Sequence, residues 1–119
     1  MKILVFVYGT LKKGFENYHF LKNCKFIGNA KTKYKYALYE KVYPYVSHSP
    51  QISHIYGEVY EINNLVLKNL DMLEGHPNEY KREIVPVILD NINKEIRAWM
   101  YFNDKYKGGK LIPFGIYTK

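Results

Sequence analysis

The sequence predicts an α+β fold, a small mixed sheet carrying two short helices. Three observations lead there. Several segments alternate apolar and polar side chains with a period of two, the signature of half-buried strands. One stretch, residues 64–74, instead repeats its apolar residues at helical spacing. Glycine, proline and asparagine separate these segments with no linker, low-complexity tract or internal repeat. At 119 residues, one domain spanning 1–119 is expected, large enough to bury a core without cross-links.

The first strand sets Ile3, Val5 and Val7 on one side and Leu4, Phe6 and Tyr8 on the other. Both faces are apolar, so the strand belongs inside a sheet covered on two sides. Gly9 then opens a turn, Tyr8-Gly9-Thr10-Leu11, in which successive N–H groups can converge into a cradle for a carboxylate or an oxyanion. A plain strand-to-loop turn fits the same residues. Residues 14–23 read as a loop with a short helix, Asn17 as its N-cap and Tyr18 and Leu21 on one face. Strands are expected over 25–33, with Gly28 at a bulge, over 34–40, and over 54–62. A further pair is expected over 82–89 and 95–102, joined by the turn Asp90-Asn91-Ile92-Asn93. Pro86 assigns an edge or a bulge to its strand. Residues 42–51, with Pro44 and Pro50, read as an irregular loop, and everything from Asn103 on as a mobile loop and tail.

The helix over 64–74 carries the main chemical candidate. At roughly 100° per residue, Val66, Leu67, Leu70 and Leu73 share one arc. Glu74 falls inside it, and Asp71 lies just past its edge as a surface or supporting residue. Gly75 suits the position after the helix, and Pro77 bars its continuation. One carboxylate therefore sits on the buried side at the C-terminal end, where burial and the helix dipole both disfavour its charged form. Such a glutamate can take and return a proton near neutrality. A structural glutamate satisfied by Arg82, Lys81 or backbone groups fits the same helix.

The net charge of +7 and the 13 tyrosines raise the question of nucleic acid. The lysines are spread along the chain and the tyrosines fall mostly at strand positions, where packing alone favours them. No nucleic-acid partner is expected. No apolar run approaches membrane-spanning length and the N-terminal run lacks a signal-peptide cleavage pattern, so a cytoplasmic protein without membrane association is expected. The single cysteine, Cys24, agrees with a reducing compartment and reads as a small half-buried thiol. His48 and His54 lack a metal-ligand spacing, His76 is expected to face solvent, and Tyr60 to pack in the core. No Walker, Rossmann or zinc-finger pattern occurs, and neither cofactor nor metal is expected.

Two distant stretches belong together. Tyr8-Gly9-Thr10-Leu11, with Gly57-Glu58-Val59-Tyr60 and Leu70-Asp71-Met72-Leu73-Glu74-Gly75, resembles the gamma-glutamylcyclotransferase-like family, within it most closely the gamma-glutamylamine cyclotransferase branch. Tyr80 and Arg82 fit the Tyr-x-Arg that follows in that branch, and Tyr43-Pro44-Tyr45 resembles its Tyr-Pro segment. The order and spacing hold over nearly the whole chain. One departure is Asn17-Tyr18-His19, where the family often has Asn-His. The resemblance implies a sheet curled into a barrel with helices packed on it. It also implies ring closure of a small gamma-glutamyl substrate to 5-oxoproline with release of an amine, without a cofactor. Glu74 aligns with the family's catalytic glutamate, and Tyr8, Gly9, Thr10 and Leu11 with its substrate-binding turn. Two alternatives stand beside this reading: the same chemistry on a different gamma-glutamyl conjugate, and a non-catalytic small-ligand binder on the same fold. The oligomeric state is left open.

Overall fold

Two apolar faces on one strand require cover on both sides, and a closed barrel with a helix outside supplies it. The computed structural model describes residues 2–118. In chain order it contains β1 (Ile3–Val7), a 3-10 turn (Tyr18–Phe20), β2 (Lys25–Thr32), β3 (Ala37–Glu40), β4 (Pro44–Ser47) and β5 (Tyr56–Ile62). There follow α1 (Asn64–Glu74), β6 (Lys81–Leu89), β7 (Lys94–Phe102) and β8 (Lys110–Leu111). The barrel runs β1-β5-β2-β6-β7, and a parallel pairing of Val5 with Trp99 closes β1 on β7. All its other pairings are antiparallel. A separate sheet runs β4-β3-β8.

Alternation along the strands divides the core into two clusters. Phe6, Ala30, Val59, Val87, Ala98 and Met100 come from all five barrel strands and meet inside. Val5, Val7, Tyr60 and Tyr101 point outward and are covered by Leu11, Leu21 and the fully buried Leu70 of α1. Each cluster depends on the other, because a one-residue slip of β1 would exchange their members. Gly57 in β5 lies where a Cβ would run into the carbonyl of Val7, so this crossing admits only glycine. α1 starts on Asn63, whose side chain accepts from the Val66 N–H at 2.9 Å, and ends at Gly75 with φ 66°.

The α+β barrel agrees with the sequence reading, as do α1, the register shift beside Gly28 in β2, and the place of Pro86. Pro86 stands where β6 parts from β2, with its carbonyl accepting from Lys33 N–H at 3.0 Å. Other expectations need correction. The second helix is only a 3-10 turn, and Asn17 does not cap it: its side chain donates to Thr10 Oγ1 at 2.8 Å instead. The strand expected over 34–40 begins only at Ala37. The loop expected over 42–51 contains β4, because a proline at the first residue of a strand removes no needed donor. The segment after Asn103 is anchored rather than mobile. β8 pairs with β3, Tyr117 is buried, and Gly109 donates to Tyr45 Oη at 3.2 Å.

Candidate active site

The end of β1 and the end of α1 open onto one cavity of about 280 Å³. Tyr8, Gly9, Thr10 and Leu11 form one wall, and Leu73, Glu74, Glu79 and Tyr80 another. All five residues singled out from the sequence thus border the same space. Asn17 adds to the first wall, and Tyr43, Tyr101 and Tyr106 complete the enclosure.

The turn after β1 is braced from behind. The carbonyls of Gly9 and Thr10 accept from Lys12 and Asn17 at 3.1 and 2.9 Å, and Lys13 N–H donates to Glu58 Oε1 at 2.9 Å. In contrast, the N–H groups of Gly9, Thr10 and Leu11 donate in none of the turn's backbone hydrogen bonds. No hydrogen bond among the described residues uses these three N–H groups, which leaves them available to an acceptor. A Cβ on Gly9 would stand 2.6 Å from Pro44 Cγ, so glycine permits the close approach of this turn to β4.

At the opposite wall the chain doubles back after α1. Tyr80 N–H donates to the Glu74 carbonyl at 3.1 Å, and Glu79 N–H to that of Gly75 at 2.8 Å. This return places Glu79 and Tyr80 beside Glu74. Burial, and secondarily the negative charge of Glu79, push the Glu74 carboxyl up to about 7. No side chain or backbone N–H among the described residues donates to it. Arg82, the obvious cation, is committed elsewhere: Nε and Nη2 hold the two oxygens of Asp71 at 2.8 and 3.1 Å, and the guanidinium lies 4.2 Å from the centre of the Trp99 ring. Tyr101 Oη also donates to Asp71 at 2.7 Å, and the Tyr101 carbonyl accepts from Tyr8 Oη at 2.9 Å. The phenols of Tyr8, Tyr80 and Tyr101 are all raised above their ordinary value, chiefly by burial, and stay protonated at neutral pH.

Some assignments shift. Leu73, placed by periodicity in the buried arc, is 38% exposed and borders the cavity. His76 does not face solvent freely; its Nδ1 accepts from Arg82 N–H at 3.3 Å. His19 is exposed and does not border the cavity. His48 lies outside it too, stacked on Phe102 and bonded through Nδ1 to Asp104 Oδ2 at 2.8 Å. Among the described residues no three His, Cys, Asp or Glu side chains gather as a metal-ligating group, and no helix is long and apolar enough to cross a membrane. Sequence reasoning missed Glu79, Tyr101 and Tyr106 in the site. Two lie on segments whose fold-back only the structure reveals, and Tyr101 read as an ordinary strand aromatic.

Comparison with known proteins gives concordant results. Residues 5–119 match a family model described as gamma-glutamyl cyclotransferase, AIG2-like. A Methanocaldococcus jannaschii protein provisionally named gamma-glutamylcyclotransferase is 58% identical over 99 residues, covering 82% of each chain. Gamma-glutamylaminecyclotransferase A of Danio rerio is 36% identical over 109 residues, covering 83% of this chain and 68% of its own. The crystal structure of a mouse AIG2-like protein is similar with a TM-score of 0.82 at 26% identity, covering 89% of this chain and 80% of that one.

Proposed function

Because this chain belongs to the AIG2-like gamma-glutamylcyclotransferase family, we propose that it converts a gamma-glutamyl amine into 5-oxoproline and the free amine. The α-amino nitrogen of the glutamyl group attacks its own side-chain carbonyl carbon. A new C–N bond closes the five-membered ring, and the C–N bond to the leaving amine breaks. The attacking nitrogen sheds a proton and the leaving nitrogen gains one. A single carboxyl that takes the first and delivers the second therefore balances the reaction.

Glu74 fills that role. What supports the reading is geometry: a buried carboxyl, pushed up to about 7 by that burial, has no hydrogen-bond donor among the described residues and borders the same cavity as a turn whose N–H groups are not used in its own backbone hydrogen bonds. At neutral pH it divides its time between base and acid, as the two transfers require. The N–H groups of Gly9, Thr10 and Leu11 hold the glutamyl carboxylate or the carbonyl oxygen on which charge builds. Keeping both ends of one substrate in a reactive pose contributes on the order of 7–11 kcal/mol in well-oriented cases. No step calls for a group beyond these.

The test is 5-oxoproline release from a panel of gamma-glutamyl amines and amino acids, comparing wild type with Glu74→Gln. The expected loss in kcat is about 10²–10⁴-fold, the usual worth of positioned acid–base catalysis. Undiminished turnover in the variant removes Glu74 from the mechanism. Silence of the folded wild type across the panel removes the ring-closure reading.

A further inference from the structure

The loop from Thr10 to Asn17 is closed by its backbone. Asn17 N–H donates to the Thr10 carbonyl at 2.9 Å. Inside the loop, Lys12 and Phe15 N–H donate to the carbonyls of Gly9 and Lys12 at 3.1 and 3.0 Å. Any residue at position 17 other than proline supplies the closing N–H. The side-chain amide of Asn17 is therefore surplus to the loop's own hydrogen bonding. Nor does it cap the 3-10 turn that follows, the usual service of an asparagine in that place.

The amide is directed at Thr10 instead. Asn17 Nδ2 donates to Thr10 Oγ1 at 2.8 Å, with both residues half-buried and both bordering the cavity. The direction of this bond decides what the hydroxyl can do. A hydroxyl has one proton to give and two lone pairs to receive with, whereas an amide nitrogen only donates. With one lone pair occupied by Asn17, the Thr10 hydroxyl keeps its proton for a different acceptor. The accepted bond also polarises the hydroxyl and strengthens any bond that it donates. Turned over, the amide would present Oδ1, draw that proton to itself and remove a donor from the cavity wall. The placement is favourable as well. Thr10 stands between Gly9 and Leu11, so the hydroxyl joins the N–H groups of all three residues on one short wall.

We propose that Asn17 is a positioning residue for the ring closure: its amide fixes the Thr10 hydroxyl as a donor to the glutamyl oxygen held by the turn. Asn17 acts through Thr10 and contributes nothing once that hydroxyl is gone. This rests on the ring-closure reading of the same cavity.

The test is a double-mutant cycle on 5-oxoproline release, with Thr10→Val, Asn17→Ala and the two combined. Valine keeps the branched shape and replaces the hydroxyl by a methyl group. Thr10→Val is expected to lower kcat/KM by about tenfold to a hundredfold, as for a lost hydrogen bond to a charged group. Thr10→Ser, which restores the hydroxyl, should stay within about fourfold of wild type, the effect of one methyl group. Asn17→Ala is expected to lower kcat/KM by about threefold to tenfold alone, and by less than about twofold when added to Thr10→Val. Its urea midpoint should match that of wild type, because the closing N–H is retained. Losses that multiply in the double variant overturn the assignment, since Asn17 then acts apart from the hydroxyl. So does full activity in Asn17→Ala or Thr10→Val, and so does a urea midpoint that falls along with activity in Asn17→Ala. If the wild type releases no 5-oxoproline, the ring-closure reading fails, and calorimetric binding of gamma-glutamyl-n-butylamine to the same proteins decides this proposal. Affinity losses that fail to multiply uphold it; losses that multiply, or no binding to wild type, refute it.

Discussion

Replacing Glu74 by glutamine should make the protein more stable, and increasingly so as pH rises from 5 to 7. The carboxyl sits at about 7 in the folded chain against an ordinary 4.5. Between those values the folded state holds a proton that the unfolded state has released. Stability therefore falls as pH rises through this window and levels off above it. The penalty works out at ~1 kcal/mol at pH 5, ~2 at pH 6 and ~3 at pH 7 and beyond. Glutamine keeps the shape and has no proton to lose, so the advantage of Glu74→Gln over wild type should grow by about 2 kcal/mol from pH 5 to pH 7. Urea unfolding of both proteins at pH 5, 6, 7 and 8 measures it, because subtracting the two curves removes every other titrating group. A difference independent of pH would show that Glu74 ionises as it does in water, and the acid–base role argued from its burial would lose its physical basis. A growing difference would tie the enzyme's activity, expected to rise with pH through about 7, to the same titration.

Other perturbations test the frame around that carboxyl. Gly9→Ala sets a Cβ 2.6 Å from Pro44 Cγ and displaces the turn; kcat/KM should fall about tenfold or more with the circular-dichroism spectrum intact, since small misplacements of positioning groups are costly. Asp71→Asn weakens the hold on Arg82 and Tyr101 and should cost about 1–3 kcal/mol in urea unfolding at neutral pH. Partial burial raises the Asp71 carboxyl, but hydrogen bonds from Arg82 and Tyr101 together outweigh it and hold the group below its ordinary 3.8 in the folded state. Its contribution is present above that value and lost as pH falls through the depressed one, so the gap between the two proteins should close in acid. Gly115→Ala combines φ 74° with a Cβ driven into the His54 carbonyl. A loss above about 2 kcal/mol in thermal or urea unfolding is expected, and an unchanged midpoint would mean that the C-terminal segment is not part of the cooperative fold.

What the sequence reveals about this molecule follows from how local each determinant is. β1, β5 and α1 announce themselves because burial acts residue by residue along an element, and both faces of β1 are apolar for a reason visible within it. Glu74 is legible for the same cause: helical periodicity alone turns it inward. β4 was hidden by Pro44, whose meaning changes once Glu40 is known to lie opposite it. The anchoring of the tail depends on Tyr117 Oη donating to Glu40 at 3.2 Å and on β8 finding β3, contacts across more than half of the chain. Glycines and a proline in that segment describe backbone freedom, not the partners that remove it.

The sharpest case is a pair of carboxylates one helical turn apart. Asp71 and Glu74 occupy the same end of α1 and feel the same unfavourable helix dipole, yet they settle in opposite states. Partial burial raises the pKa of both. At Asp71 the two donors of Arg82 and the Tyr101 hydroxyl reverse that rise and hold the group ionised. At Glu74 nothing reverses it, and Glu79 adds to it. The arginine cannot serve both, and its capture by Asp71 leaves the Glu74 carboxyl without a cation beside the cavity. The Leu-Asp-x-x-Glu pattern therefore encodes a division of labour: one carboxylate fixes Tyr101 and the cation, and through them the wall against which Tyr8 is bonded, while the other stays unpaired. Both acidic positions are needed for that outcome, although only the second meets the proposed substrate.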